Sequence, residues 1–254
     1  MRIVMLNIGQ GDSIYIETPN GTNMLVDSGR DRTILSAISP YIGLKDNIDI
    51  IENSNPDLDH IGGFPFIMEK YSIGRIISAG TNHEELPAFK KIEELAKKNN
   101  TLIDTPKQGT VYVLDKELDI TYTILWPETN VRNWERNAGS IIGLLKYGPH
   151  KILLTGDAPK EVEDQILAKY SKDLQNIDIL KIGHHGSRTS TGENFLKITQ
   201  PKYAIISAGV NNFYGHPHKE VINLLNIYKI KTLVTSKDGA IECNIFLDKE
   251  VICN

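Results

Sequence analysis

The stretch that most constrains this chain is Asn55-Pro56-Asp57-Leu58-Asp59-His60-Ile61-Gly62-Gly63. Two carboxylates, an imidazole and a carboxamide fall within six residues, directly after the apolar run Ile48-Asp49-Ile50-Ile51. A strand ending in such a cluster, with Gly-Gly and a helical pattern behind it, puts all four polar side chains in one loop at its C-terminal end. In open α/β sheets ligands bind at that end. Carboxylate oxygens and a neutral imidazole at this spacing are donors suited to a divalent cation. An Asn-Pro-Asp turn with Asp59 as a helix cap uses the same residues without any ligand.

The flanking periodicity predicts two β-rich-then-α/β halves. In the first, strands over 2–8 and 13–17 are joined by Gln10-Gly11-Asp12, and Pro19-Asn20-Gly21 turns the chain into a strand ending at Asp27. Asp31 is placed to cap a helix over 32–42, and strand 48–53 leads to a helix over 62–70. A strand over 73–79 precedes a helix over 87–98 with Phe89, Ile92 and Leu95 on one face, then short strands near 101–104, 110–114 and 119–125. Residues 127–139 lack periodicity and carry Asn130, Arg132, Trp134 and Arg136, as a loop near the site or a plain solvated loop would.

The second half opens with a hairpin, 140–147 and 151–155, that ends at Gly156-Asp157. Helices over 160–170 and 191–199 alternate with strands 177–182 and 203–207. A helix over 217–228 is expected to start with Pro217 at its first position, and strands 231–235 and 240–247 to meet at the turn Lys237-Asp238-Gly239. Each half has an aspartate closing a hairpin strand, which predicts two sheets packed face to face with helices outside. No linker divides the chain, so residues 1–254 are expected to form a single domain.

Five of the seven histidines, His60, His184, His185, His216 and His218, sit at strand or loop ends beside Gly, Pro or Asp. His83 and His150 read as solvent-facing turn residues. Asp157 follows the apolar strand Ile152-Leu153-Leu154-Thr155, where a carboxylate also suits the dipole of the next helix. His184-His185-Gly186-Ser187 and Gly215-His216-Pro217-His218 follow strands in the same way, and a helix start capped by His216 or a nearby group explains the latter equally well. Ser187 and Thr189 suit capping of the following helix.

The order Gln10-Gly11-Asp12, Leu25-Val26-Asp27-Ser28-Gly29, Asp57-Leu58-Asp59-His60-Ile61-Gly62-Gly63, Leu154-Thr155-Gly156-Asp157, His184-His185-Gly186-Ser187 and Tyr214-Gly215-His216-Pro217-His218 resembles the metallo-β-lactamase fold superfamily. Within it, the likeness is to the hydrolase domain of ComEC-type DNA-uptake proteins and their stand-alone relatives, and it runs from residue 2 to about 235. The resemblance implies a four-layer αββα sandwich, an α/β (α+β) fold, with a one- or two-metal site along one edge. The superfamily loop HxHxDH falls on Asn55, Asp57, Asp59 and His60. Asp59 and His60 match it, Asp57 matches a carboxylate variant, and Asn55 departs from it. Asp157 matches the metal-bridging aspartate, His184 the later histidine ligand, and Asp27 a carboxylate that supports the metal loop.

One firm site is therefore expected from Asp59, His60, His184 and Asp157. A weak one is expected from Asp57, Asp157 and the neutral Asn55. Such oxygen-rich ligation favours Mn²⁺ or Mg²⁺ over Zn²⁺, with Mn²⁺ and Zn²⁺ the leading expectations.

The chemistry implied is hydrolysis by a metal-activated water. His185, His216 and Arg188 are candidates for contacting a phosphoryl group or protonating a leaving oxygen, with Asn212 and Tyr214 as weaker substrate contacts. Three functions follow: a phosphodiesterase or nuclease acting on DNA, a hydrolase of a small phosphodiester, lactone or choline-phosphate ester, or a metal-binding module disarmed by Asn55. The net charge of −4 gives no global basic footprint for gripping duplex DNA. No apolar run reaches the ~18 residues of a membrane span, so no membrane partner is expected. Cys243 and Cys253 are too few for a disulfide framework, although a C-terminal hairpin could bring them near each other. A reduced, cytoplasmic protein is the expectation.

Overall fold

A computed structural model describes residues 1–81 and 85–254. His83 lies outside the described residues. The chain opens with β1 (Arg2–Met5), β2 (Ile14–Glu17) and β3 (Asn23–Val26), an antiparallel meander that helix α1 (Thr33–Ile42) follows. Strand β4 (Asn47–Asn53) then pairs parallel with β3 and with β5 (Ser72–Ser78), and β6 (Leu102–Asp104) continues the parallel run. Helices α2 (Leu58–Ile61) and α3 (Phe64–Lys70) connect β4 to β5, and α4 (Pro87–Asn99) connects β5 to β6.

The second sheet starts with antiparallel β7 (Val111–Asp115), β8 (Ile120–Trp126), β9 (Ile142–Tyr147) and β10 (His150–Leu154). It continues parallel through β11 (Ile179–Lys181), β12 (Tyr203–Ile206) and β13 (Lys231–Val234), with α5 (Lys160–Tyr170), α6 (Glu193–Thr199) and α7 (Lys219–Ile227) as crossovers. A one-turn helix, α8 (Thr235–Asp238), carries the chain back to the first sheet, where β14 (Ile241–Asn244) lies against β1 and β15 (Ile252–Cys253) against β14. Among the described residues the sheets thus have eight and seven strands.

Three apolar clusters make this a four-layer αββα sandwich. Ile3, Ile16, Met24, Tyr122, Leu145 and Ile152 belong to the core between the sheets. The outer face of the first sheet is covered by α1, α3 and α4, and that of the second by α5, α6 and α7. Ile34, Ile38 and Ile42 of α1 recur every four residues, so one stripe of the helix is buried. Phe89, Ile92 and Leu95 of α4 are buried on the face that periodicity predicts. Each such side chain contributes about 1.5–3 kcal/mol.

Four local expectations are corrected. Lys237-Asp238-Gly239 does not close a hairpin, because β13 and β14 belong to different sheets and the segment crosses between them. Helix α7 begins at Lys219 with His218 as its N-cap, and Pro217 stands outside it. His150 is buried rather than solvent-facing, with Nε2 2.9 Å from the Phe246 carbonyl and Nδ1 3.3 Å from Asp178. Cys243 and Cys253 face each other across β14 and β15 and form a disulfide, in place of the expected free thiols. Among the described residues no helix is long and apolar enough to cross a membrane.

Candidate metal centre

The parallel strands β3, β4, β10, β11 and β12 all end on the same edge of the sandwich, which gathers the loops after them. Asp27 follows β3, the Asn55–His60 loop follows β4, Asp157 follows β10, His184 and His185 follow β11, and Ser207 follows β12. The Asn-Pro-Asp turn is real: Asn55 Oδ1 accepts from the Asp57 amide at 2.9 Å, and Asp57 caps α2 in an extended conformation. That turn aims His60, on α2, into the edge. Gly11 lets the β1–β2 loop close over it, since a Cβ there would sit 2.2 Å from the Asp59 carbonyl. His184 and His185 are consecutive non-glycine residues with φ of 49° and 55°. This backbone costs about 1–3 kcal/mol per residue and persists where the surroundings fix it, commonly at functional sites.

Ligand atoms of Asp12, His60, Asp157 and His185 all lie within 4.8 Å of one another, and all four residues are buried. His60 Nδ1 is 2.8 Å from Asp27 Oδ2, while its Nε2 is 3.1 Å from Asp157 Oδ2. Asp27 also accepts from the Ser54 amide and hydroxyl at 2.9 and 2.6 Å, which ties it to the loop holding His60. His185 repeats the arrangement. Its Nδ1 is 3.2 Å from both Asp12 Oδ1 and the Ser207 carbonyl, and its Nε2 faces Asp59 at 3.3 Å and Asp157 at 3.6 Å. Each imidazole has one nitrogen pinned by a buried carboxylate and the other turned to Asp157, the support that metal-binding histidines commonly have. His184 stands at the rim, 27% exposed, with Nε2 3.8 Å from Asp157.

The electrostatics are those of a site short of positive charge. Asp12, Asp27, Asp59 and Asp157 converge, and among the described residues the one buried lysine beside them is Lys181, 2.6 Å from Asp12 Oδ2. Lys181 also donates to the carbonyls of Gly156 and Ile182 at 2.9 and 3.1 Å. Burial opposes charge on His185, but Asp157 and Asp12 outweigh it and push the imidazole up to about 10. Burial likewise opposes charge on His60, and Asp157 and Asp27 hold it well above its ordinary range. Burial would raise Asp59, yet the contacts with His185 and His60 bring it down to about 2. Asp157 Oδ1 is buried with no hydrogen-bond partner among the described residues. An orphaned carboxylate oxygen, flanked by imidazole nitrogens supported from behind, fits a divalent cation.

Not every residue singled out in the sequence joins this cluster. Asn55 Nδ2 donates to Asn137 Oδ1 at 2.9 Å and Ser140 Oγ at 3.2 Å, so its carboxamide is engaged at both ends. Asp57 pairs with Arg136 at 2.7 Å. Arg188 is exposed and, with His184, Lys160 and Asn137, lines a cavity of about 430 Å³. His216 stacks on Tyr214 at 5.6 Å and packs edge-on against His184 at the same distance. Burial and the neighbouring His185, His184 and His218 lower its imidazole to about 4. Asn212 donates to the carbonyls of Gly209 and His216 and accepts from the His216 amide, which shapes this loop. Ser187 and Thr189 bond each other, while Glu163 accepts the Thr191 and Gly192 amides before α6.

Sequence reasoning missed Asp12 as a member of the cluster, and Lys181 altogether. Lys181 had a signal, a charged residue within Ile179-Leu180-Lys181-Ile182, where both faces of a parallel strand are buried. Asp12 had none beyond its place in Gln10-Gly11-Asp12.

Comparison with known proteins bears on the family and the fold. ComE operon protein 3 of Bacillus subtilis (strain 168) is 31% identical over 257 residues, covering 94% of this chain and 32% of that protein. Recombination protein 2 of Haemophilus influenzae is 32% identical over 250 residues, covering 96% of this chain and 29% of that protein. The chain therefore spans about a third of the length of these curated relatives. A solved metal-dependent hydrolase of the beta-lactamase superfamily shares the fold with a TM-score of 0.61, at 10% identity over 94% of this chain and 98% of that one. Residues 6–210 match the metallo-beta-lactamase superfamily model, and on that match, with the two-sheet sandwich and its edge cluster, the chain belongs to the metallo-beta-lactamase superfamily.

Proposed function

We infer that this chain is a metal-dependent phosphodiesterase that cleaves DNA. The observation that carries the reading is the convergence of supported imidazoles on Asp157, whose Oδ1 has no other partner among the described residues. His60, Asp157, His185 and Asp59 would hold a divalent cation, with His184 joining from the rim. Asp57 and Asn55 would form a second, weaker site only once Arg136 leaves Asp57. A bound Mn²⁺, Zn²⁺ or Mg²⁺ supplies Lewis acidity and lowers the pKa of a water.

The chain's own residues do the rest. Asp27 and Asp12 hold the two imidazoles with Nε2 toward Asp157. Arg188 and Lys160, on the cavity beside His184, are placed to take the charge of a phosphodiester, as cations commonly do in phosphoryl transfer. His216 and Tyr214 border the same rim, and Asn212 keeps their loop in place. DNA as the substrate rests on the resemblance to ComEC-type DNA-uptake proteins and on the names of the relatives, ComE operon protein 3 and Recombination protein 2.

The test is hydrolysis of labelled single-stranded DNA by metal-stripped protein, with Mn²⁺, Mg²⁺ or Zn²⁺ restored and Asp157→Ala as control. Metal-dependent cleavage lost in the variant is expected. Intact DNA alongside turnover of a model phosphodiester would remove DNA as the substrate, and full activity in Asp157→Ala would overturn the site itself.

A further inference from the structure

A second cavity, also about 430 Å³, is lined by the first part of the 127–139 segment, whereas the one that Arg188 lines takes Glu135 and Asn137 from its later part. Its walls include Lys107 and Arg132, the hydroxyl residues Thr105 and Thr129, and the apolar faces of Pro106 and Pro127. It adjoins the metal loop through continuous contacts. Ala79–Thr81, on its floor, extend β5 beside the end of β4, where Asn53 pairs with Ser78. Thr81 and Val131 pack against Gly139, close enough that a Cβ there would meet Thr81 at 2.1 Å. Asn137, two residues earlier, holds Asn55.

On the basis of the phosphodiesterase reading, we propose that this cavity binds the nucleotide next to the scissile phosphodiester of a single-stranded polynucleotide. The volume takes one nucleotide and lies at the lower end of small-ligand pockets, about 300–1,000 Å³. A duplex does not fit it, and the chain's net charge of −4 leaves duplex binding without a broad basic surface. The chemistry is divided as a nucleotide requires. Lys107 faces a phosphate, the threonine hydroxyls can donate or accept along sugar and base edges, and the proline faces pack against the base. The segment 127–139 is then shared by two cavities, with Arg132 toward one, Glu135 and Asn137 toward the other, and Arg136 on Asp57 between them. A strand passing the metal loop would be gripped on both sides of the cut.

The experiment is fluorescence anisotropy of 5′-labelled oligothymidylates of one to eight nucleotides, with the 254-residue chain in EDTA so that no cleavage occurs. Affinity is expected to rise between one and a few nucleotides and then level off. Lys107→Gln should weaken binding roughly two- to fivefold, the range of an exposed ion pair. It should also flatten the log K against log salt slope by about 0.7, one phosphate contact on a single strand. Thr129→Glu, which places a carboxylate at the exposed rim, should weaken binding further. Lys98→Gln, on a cavity at the opposite end of β5, should bind as wild type does. Thermal melting checks that each variant is folded. Wild-type affinity and slope in both Lys107→Gln and Thr129→Glu would overturn the proposal, as would no binding by the wild type. Failure of the phosphodiesterase reading shows separately, as absent cleavage with metal restored whether or not the oligonucleotide binds.

Discussion

Lys181→Met tests whether this lysine is the fixed counter-charge of the aspartate cluster. Its ammonium is 2.6 Å from Asp12 Oδ2, and the two side chains are 2% and 1% exposed. Methionine keeps most of the volume but removes the charge and the bonds to the Gly156 and Ile182 carbonyls. Asp12 is then left buried among Asp27, Asp59 and Asp157 with only His185 and His60 near it. Removing one partner of a buried ion pair costs about 3–5 kcal/mol. With a urea slope of about 3 kcal/mol/M, the unfolding midpoint of the metal-free protein should fall by roughly 1–1.7 M. Asp12→Asn combined with Lys181→Met removes both charges. It should be more stable than Lys181→Met alone by at least about 1 kcal/mol, despite carrying two changes. Added Mn²⁺ should raise the midpoint of Lys181→Met more than that of the wild type, because it supplies the missing charge. An unchanged midpoint in Lys181→Met, or a double variant weaker than the single one, would refute the reasoning.

Further outcomes follow from other parts of the structure. Burial lifts the Glu52 carboxyl to about 8 against the hydrogen bond from Tyr122, so the folded protein holds a proton that the unfolded chain releases above the ordinary carboxyl value of 4.5. Stability should therefore fall as pH rises across that window, by up to about 1.4 kcal/mol per unit, and Glu52→Gln should flatten the trend in urea midpoints taken between pH 6 and 8. Arg136→Ala frees Asp57 from its ion-pair partner among the described residues and should raise the Mn²⁺ bound per chain at millimolar metal, measured by equilibrium dialysis; unchanged stoichiometry would count against a second site at Asp57. Reducing the Cys243–Cys253 bridge, which closes a loop of sequence separation 10, should cost about 2–3 kcal/mol, read as the urea midpoint with and without reductant.

The sandwich was legible because its strands and helices carry distinct periods and its loops are short. The α4 stripe of Phe89, Ile92 and Leu95 announces a covered sheet face, and the aspartates after β3 and β10 announce two halves built alike. Sheet membership was not legible. Residues 231–247 look like a hairpin because local sequence specifies a turn, whereas β14 lies between β15 and β1, the latter over 230 residues away. At the candidate site, His60, His184, His185 and Asp157 stand out because polar residues at strand ends have no packing reason to be there. The supporting residues are harder to find. Asp12 acts by approaching His185 across the fold, and a spacing of 173 residues leaves no local pattern. His150 shows the converse, since its turn context hides a buried pairing with Asp178.

The measurement that bears most directly on this account is metal stoichiometry. Wild type, Asp157→Ala and His185→Ala would be dialysed to equilibrium against micromolar Mn²⁺ or Zn²⁺, with bound metal read by elemental analysis and folding by circular dichroism. The account predicts one tightly held ion per wild-type chain and its loss in both variants while they remain folded. A folded Asp157→Ala that retains the ion, or a wild type that holds none, would contradict it.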